Sequence, residues 1–400
     1  MNRLTVRDID VRGKKVFVRV DFNVPLNEKT GAIRDDSRIK ASLPTITYLI
    51  DNGAKVILGS HLGRPDGKVL KDLRMPVIAE RLSQLIGRPV ATTPDSIGPE
   101  VTRVTEKMKA GDVTLLENLR FHPEEEANNP DFARELAGLA EIYVDDAFGT
   151  AHRKHASITG ITEHLPAVAG LLMERELTYL GGIMENPALP FGGIFGGLKI
   201  SDKLVMLENI IPRVDYALIG GCMAATFLKA RNYDVGLSLY EDDQVATATR
   251  LMEESAKKGA CLLLPEDVVV GTGVSPEAKA TVVDIGNIPA DQMILDIGPR
   301  SAGKFCEQLQ NCKTVFWNGP LGVNEIPQFA GGTQTLARFL AGLDATVIIG
   351  GGSTSEVVTN LGLADKMAFV STGGGASLKF LGGQKLPGVE ALLPQKTPVS

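Results

Sequence analysis

Lys15-Val16-Phe17-Val18-Arg19-Val20 is a β-branched and aromatic run; Ile39, Leu43, Ile46 and Ile50 then recur at helical spacing as far as Gly53; Lys55-Val56-Ile57-Leu58 is a second short apolar run. Residues 15–58 therefore read strand, helix, strand. Asp36 stands just before the helical stretch and Gly53 closes it, while Pro44 should bend it. Both strands are too continuously apolar to have one face in water. The order that suits them is a parallel pair roofed by the helix, the repeating unit of the α/β class.

The same alternation continues. Val113-Thr114-Leu115-Leu116 and Ile142-Tyr143-Val144 are further strands of the first half. Gly193-Ile194-Phe195, Tyr216–Ile219, Cys261–Leu264, Thr314–Trp317, Thr346–Ile349 and Ala368-Phe369-Val370 repeat the pattern in the second. Between the halves, Gly170–Leu180 reads as a connecting helix ended by Gly181-Gly182, with Pro187–Pro190 as a boundary loop. A chain of 400 residues exceeds what one core usually organises, so the expectation is two α/β lobes with mainly parallel sheets.

Several function classes are disfavoured. A net charge of −6 argues against a general nucleic-acid binder, although residues 1–75 are net basic. Cys222, Cys261, Cys306 and Cys312 lack C-x-x-C spacing, which argues against a zinc site or a disulfide framework and for a reducing, cytoplasmic setting. No stretch has the roughly 18 apolar residues of a membrane span, and Met1–Lys15 has no apolar signal core.

In open α/β sheets ligands sit beyond the carboxyl ends of the strands. In the first half those positions carry Asp21 and Asn23, His61 and Arg64, Arg120, and Arg153, with Arg38 at the start of the first helix. Arginine matches phosphate and carboxylate bidentately, so three at successive strand ends with a fourth beside them point to a small anion. The alternative is that each pairs separately with Asp35, Asp36, Asp145 or Asp146. In the second half Gly196-Gly197-Leu198-Lys199 and Lys203, Gly350-Gly351-Gly352-Ser353-Thr354, and Thr372-Gly373-Gly374-Gly375 all stand between strand and helix. Three such turns suit nucleotide phosphates, and Lys199 and Lys203 share one face if both are helical. Asn318 and Glu325 follow the Thr314–Trp317 run, where sugar hydroxyls would be bound. Gly298–Phe305 resembles a Walker loop, but Phe305 occupies the place of its metal-binding hydroxyl. No G-x-G-x-x-G follows the first strand, which weakens a dehydrogenase reading.

Val18–Pro25, Ser60–Pro65, Glu117–Phe121, Asp146–Arg153, Trp317–Pro320 and Ser371–Ala376 together resemble the phosphoglycerate kinase family, in order and over essentially the whole chain. The resemblance implies two Rossmann-like three-layer lobes with mainly parallel sheets, joined by a long helix and hinge. Residues 1–170 would bind phosphoglycerate, with the tail 388–400 packing back on them; 171–186 would be the interdomain helix and 187–387 the nucleotide-binding lobe. The implied reaction is 1,3-bisphosphoglycerate + ADP ⇌ 3-phosphoglycerate + ATP with Mg²⁺ brought as Mg-ADP or Mg-ATP, in a cytoplasmic monomer.

Carried over by position, Asp21, Asn23, Arg38, His61, Arg64, Arg120 and Arg153 would hold phosphoglycerate. Lys203, Asn318, Glu325, Gly351, Gly352, Ser353 and Thr354 would hold nucleotide. Arg38, Lys199, Gly352, Gly374 and Gly375 would surround the phosphoryl group in transfer. Three positions depart from the family's usual pattern. Ser353 stands where it has a metal-contacting Asp, Leu198 where it has Ala, and Asn324 where Phe precedes the nucleotide-site Glu. The rival reading is a nucleotide- and anion-binding protein that has lost turnover through Ser353.

Overall fold

The structure is a computed structural model and describes residues 3–395. It divides into two compact units, Met1–Thr178 with Lys385–Ser400, and Tyr179–Gln384. The part of the expected tail at 396–400 lies outside the described residues.

The first unit is built on six strands: β1 (Lys15–Arg19), β2 (Lys55–Gly59), β3 (Val90–Thr92), β4 (Val113–Leu115), β5 (Ile142–Asp145) and β6 (Ala167–Ala169). Their order is β3-β4-β2-β1-β5-β6, and every pairing is parallel. Successive side chains of β1 point to opposite faces. Val16 and Val18 join one core with Val56 and Leu58 of β2 and with Ile39, Ile46, Leu49 and Ile50 of the helix Ser37–Asp51. Phe17 faces the other way and stacks on Tyr143 of β5. Both faces are covered, which is why these strands lack polar alternation. Pro44 lies inside the Ser37–Asp51 helix. Asp36 makes no capping bond there; its carboxylate pairs with Arg81 and Lys40. The segment after Lys385 adds to this unit: Gly388 N–H donates to Ala151 O, Leu393 N–H to Ala167 O, and Leu4 N–H to Leu393 O.

The second unit has β7 (Phe191–Phe195), β8 (Tyr216–Ile219), β9 (Cys261–Leu263), β13 (Thr314–Asn318), β14 (Thr346–Gly350) and β15 (Phe369–Val370) in one parallel sheet, ordered β15-β14-β13-β7-β8-β9. Between β9 and β13 the chain forms a second, antiparallel sheet of β10 (Asp267–Gly271), β11 (Thr281–Asp284) and β12 (Met293–Ile297). Its own small core contains Leu295, Ile326 and Phe329.

The helix Leu171–Glu185 contains the boundary between the units. It begins on Asp146, whose carboxylate accepts from the N–H groups of Leu172 (2.9 Å) and Met173 (3.3 Å). It does not stop at Gly181-Gly182, as the sequence suggested, but runs through them. A glycine pair lowers helix propensity by only about 2 kcal/mol in total, which a helix anchored on both sides of the pair tolerates.

In each parallel sheet the strand order reverses once, between β1 and β5 in the first unit and between β7 and β13 in the second. Those reversals open a crevice at the carboxyl ends of the strands. Both candidate sites lie there.

Candidate active site

In the first unit the crevice is lined by arginine. Arg19 ends β1 and is 1% exposed. Its Nε donates to Ser157 Oγ (2.9 Å), one Nη to Val20 O, and the other faces His61 Nδ1 at 3.3 Å. Guanidinium is always a donor, so Nδ1 must accept and the imidazole proton sits on Nε2. His61 is itself buried. Burial, then the charges of Arg19, Arg120, Arg153 and Arg38, push its pKa well below the usual histidine value. It is therefore neutral, with its proton on Nε2.

Arg120 lies within the 3₁₀ turn Leu119–Phe121 and is 5% exposed. Asn118 places that turn. Its Oδ1 accepts from the N–H groups of Leu62 and Arg120, and its Nδ2 donates to the carbonyls of Leu62 and Leu73. Arg120 Nη1 donates to Gly63 O (3.1 Å), and Nε lies 3.3 Å from Glu126 Oε1. Nε and Nη2 are buried without a hydrogen bond. Arg153 Nε is likewise buried and unsatisfied, and Arg153 Nη1 is 4.0 Å from the same Glu126. Burial is the first reason that the pKa of Arg120 is lowered, and the charges of Arg153 and Arg19 add to it.

Arg38 is held differently, by Asp21 at 2.6 Å. Asn23 Oδ1 accepts from Gly63 N–H (2.8 Å), so its role in the structure is to shape the His61 loop. Arg64 is exposed, apart from this network. The arginines do not pair with Asp35, Asp36, Asp145 or Asp146, the alternative that the sequence left open; their acidic neighbours are Asp21 and Glu126.

Three further residues of the cluster escaped the sequence reading. Arg19 was counted as strand. Glu125 is fully buried and accepts from Ser157 N–H (2.8 Å) and Oγ (2.6 Å); burial raises its pKa. Ser157 thus bridges Glu125 to Arg19. The available signal was Arg19 itself, a charge within an otherwise apolar strand.

The second unit uses backbone instead. A cavity of about 490 Å³ is lined by Gly197, Lys203, Asn318, Glu325, the turn Gly351–Thr354 and Gly374-Gly375, among others. Here β7 and β13 end so close together that side chains are excluded. A Cβ on Gly319 would lie 2.2 Å from Gly196 O, and one on Gly196 would lie 2.2 Å from Pro320 O. Gly319 also has φ +96°, which L side chains rarely adopt. Thr354 Oγ1 accepts from Gly319 N–H (2.7 Å), so this hydroxyl is engaged in holding the turn. Lys203 Nζ donates to Gly196 O (2.7 Å) and Asn318 O (3.2 Å); burial lowers its pKa to about 8.

Asn318 is 1% exposed and its Nδ2 has no hydrogen-bond partner. The helix Gly352–Asn360 starts on Gly351, and the helix Gly375–Leu381 on Gly374. Cβ positions on Gly352, Gly374 and Gly375 meet nothing within 4 Å, so these backbone groups face open space. Ser353 is exposed at the cavity wall.

The expected pairing of Lys199 with Lys203 needs correction. Lys199 does not share a helical face with Lys203. It lies in the loop after β7, and the chain turns helical only at Ser201–Lys203. Nor does Lys199 line the cavity; its side chain is exposed. The Walker-like stretch is occupied by protein. Gly298 caps the helix Pro299–Leu309, and the carboxylate of Asp267 accepts from Arg300 N–H (3.1 Å) and Ser301 N–H (2.8 Å), filling the place a phosphate would take.

A buried guanidinium cluster with unsatisfied donors is suited to a small polyanion, and a glycine-walled cavity beside a lysine and two helix starts to nucleotide phosphates. Known proteins resemble this chain over nearly its whole length. The family model "Phosphoglycerate kinase" matches residues 6–384. A phosphoglycerate kinase of Pelotomaculum thermopropionicum is 52% identical over 393 residues, covering 98% of this chain and 100% of that protein. One of Moorella thermoacetica is 50% identical, covering 98% and 99%. Among solved structures, phosphoglycerate kinase from Coxiella burnetii superposes with a TM-score of 0.86 at 38% identity, covering 97% of this chain and 98% of that one. The enzyme from Pyrococcus horikoshii gives 0.84 at 32%, covering 98% of each. With sequence and fold in agreement along nearly the entire length, the chain belongs to the phosphoglycerate kinase family.

Proposed function

We propose that the chain catalyses reversible phosphoryl transfer from 1,3-bisphosphoglycerate to ADP, giving 3-phosphoglycerate and ATP, as a cytoplasmic monomer. The observation that carries this reading is the set of buried, unsatisfied guanidinium nitrogens on Arg120 and Arg153. Each such atom costs about 1–3 kcal/mol until a partner arrives, and the phosphate and carboxylate of phosphoglycerate are partners of the right charge. Arg38, Arg120 and Arg153 grip the anion, neutral His61 donates from Nε2, and Arg64 reaches it from the exposed rim. Asp21 and Asn23 set the positions of Arg38 and of the Gly63 loop.

In the second unit Lys203 and the N–H groups at Gly351, Gly352, Ser353 and Thr354 take the nucleotide phosphates, and Asn318 and Glu325 the remainder of the nucleotide. No base is needed, because both acceptors, a carboxylate and a nucleotide β-phosphate, are already anionic. What the reaction requires is charge stabilisation and in-line placement. In the first unit Arg38 brings such charge; in the second the amides at Gly352, Gly374 and Gly375 bring it from the cavity wall, and Lys199 from the exposed loop after β7.

Mg²⁺ would neutralise phosphate charge when it accompanies the nucleotide. The donors present do not fit an ion held by the protein. Among the described residues no group of three or more His, Cys, Asp or Glu is placed to bind a metal, and the cavity lining has a single carboxylate, Glu325. The family's metal contact is here the neutral Ser353. Among the described residues no helix is long and apolar enough to cross a membrane.

A coupled assay for ATP formation from 1,3-bisphosphoglycerate and ADP tests the reading. Turnover is expected; its absence, with both ligands still binding, would favour the non-catalytic alternative. Lys199→Ala should lower kcat by tenfold or more, about 1.4 kcal/mol, while 3-phosphoglycerate affinity is unchanged. Equal loss of both would remove Lys199 from the transfer step.

A further inference from the structure

Charge in the second-unit cavity is distributed in a way that favours one ionic form of its ligand. Among the lining residues Lys203 is the cation and Glu325 the carboxylate. The helix Gly352–Asn360 starts in the same wall with no acidic residue in its first turn. The first N–H groups of such a helix have no partner within it and carry partial positive charge.

A second, independent donor lies beneath the same turn. Asn318 is almost fully buried and its Nδ2 is unsatisfied. That atom lies 3.0 Å from the Cβ position of Gly351, the residue that begins the helix. The hydroxyl of Thr354 is committed to Gly319 N–H, which leaves Ser353 as the one hydroxyl in the first turn facing the cavity. The wall therefore offers donors and a positive dipole end, which attract phosphate oxygens and disfavour a cation. Magnesium in a nucleotide site ordinarily takes one or two carboxylates besides the phosphates, and the helix start, where the phosphates would lie, has none.

We infer that this cavity binds the nucleoside diphosphate as a bare anion at least as tightly as its magnesium complex, and that the lack of a carboxylate at residue 353 sets this preference. The inference rests on the second unit being the nucleotide site. A carboxylate at residue 353 would cancel the dipole end and supply a metal ligand, so it would repel the bare diphosphate and welcome the complex.

Calorimetric titration of the full chain with ADP, once in EDTA and once in saturating MgCl₂, tests this directly. The wild type should bind ADP in EDTA with a Kd equal to or lower than that in Mg²⁺. S353D should weaken bare ADP by about tenfold or more and reverse the order. S353A should keep the wild-type order, because the backbone donors remain. Wild-type binding that is several-fold tighter with Mg²⁺ would overturn the inference and leave the nucleotide site standing. So would an S353D variant that binds ADP with the wild-type ratio. Absence of ADP binding in both buffers would overturn the inference and the nucleotide site together. The wild-type pair of titrations decides the main point even if S353D fails to fold.

Discussion

Four guanidiniums act on one neutral histidine in the first unit, whereas in the second a single half-buried lysine stands among glycine turns and helix starts. The first crevice holds its charge on side chains. Like charges are forced together there, kept in place by Ser157, Asp21 and Glu126, with donors left unsatisfied until an anion enters. The second achieves its field with backbone, and the requirement falls on space. Strand ends β7 and β13 approach so closely that a methyl group would overlap main-chain oxygen. The contrast teaches that one chain can build two anion sites whose weak points differ. One is vulnerable to loss of charge and the other to gain of volume.

The largest expected effect breaks the second site by volume. Gly319→Ala puts a Cβ 2.2 Å from Gly196 O and 2.4 Å from Lys203 Nζ at φ +96°. It should cost about 3 kcal/mol or more in stability, read as a lowered Tm with loss of nucleotide binding. A near-wild-type Tm would show that the turn is softer than its geometry implies.

Arg120→Ala tests the first site by charge. It should weaken 3-phosphoglycerate binding by about 1.5–3 kcal/mol, tenfold or more in calorimetry, because charge-assisted bonds are lost. Stability without ligand should fall much less, since repulsion from Arg19 and Arg153 is relieved at the same time. Raising the ionic strength should reduce affinity at this crevice more than at the nucleotide cavity, as more side-chain charges contribute.

Lys203 ties the second site to pH. Its pKa of about 8 without ligand is lowered by burial, and bound phosphate will raise it. Nucleotide affinity should thus be fully developed below pH 8 and fall as pH rises above it, by up to about tenfold per unit until the bound-state pKa is passed. The fold responds with the opposite sign. Between pH 8 and the ordinary lysine value the unfolded chain binds more protons, so the ligand-free protein gains stability from Lys203 over that window. A flat affinity between pH 7 and 9.5 would remove Lys203 from the phosphate contacts.

The smallest effect is Gly352→Ala. Its Cβ meets no atom and its φ is not positive, so stability should change by no more than about 1 kcal/mol in either direction. Any loss of nucleotide affinity would then report the phosphate contact itself, the control that Gly319→Ala lacks.

Local pattern alone determined most of the frame. The apolar runs at 15–20, 55–58 and 142–144 became β1, β2 and β5 because doubly buried strands must be continuously apolar. The polar residues after them became the crevice because a parallel sheet brings every strand's carboxyl end to one edge. Strands β3 and β6, three residues each, were not legible, since so short a run has no period to detect, and the antiparallel sheet β10–β12 was missed although its strands are as long as β1, β2 and β5. The helix ran past Gly181-Gly182 because anchoring outweighs a modest propensity loss.

At the sites, residue types were readable and their environments were not. Sequence marked Arg38, His61, Arg120, Arg153, Lys203 and the glycine turns as chemistry-bearing. Only the tertiary structure decided that Arg19 turns inward to His61 and that Asp267 fills the Walker-like turn. Only it left donors of Arg120 and Asn318 buried without partners and kept Lys199 out of the cavity wall. The reason is physical. A residue's kind is local, but burial, charge neighbours and unsatisfied donors depend on chain segments tens to hundreds of residues away.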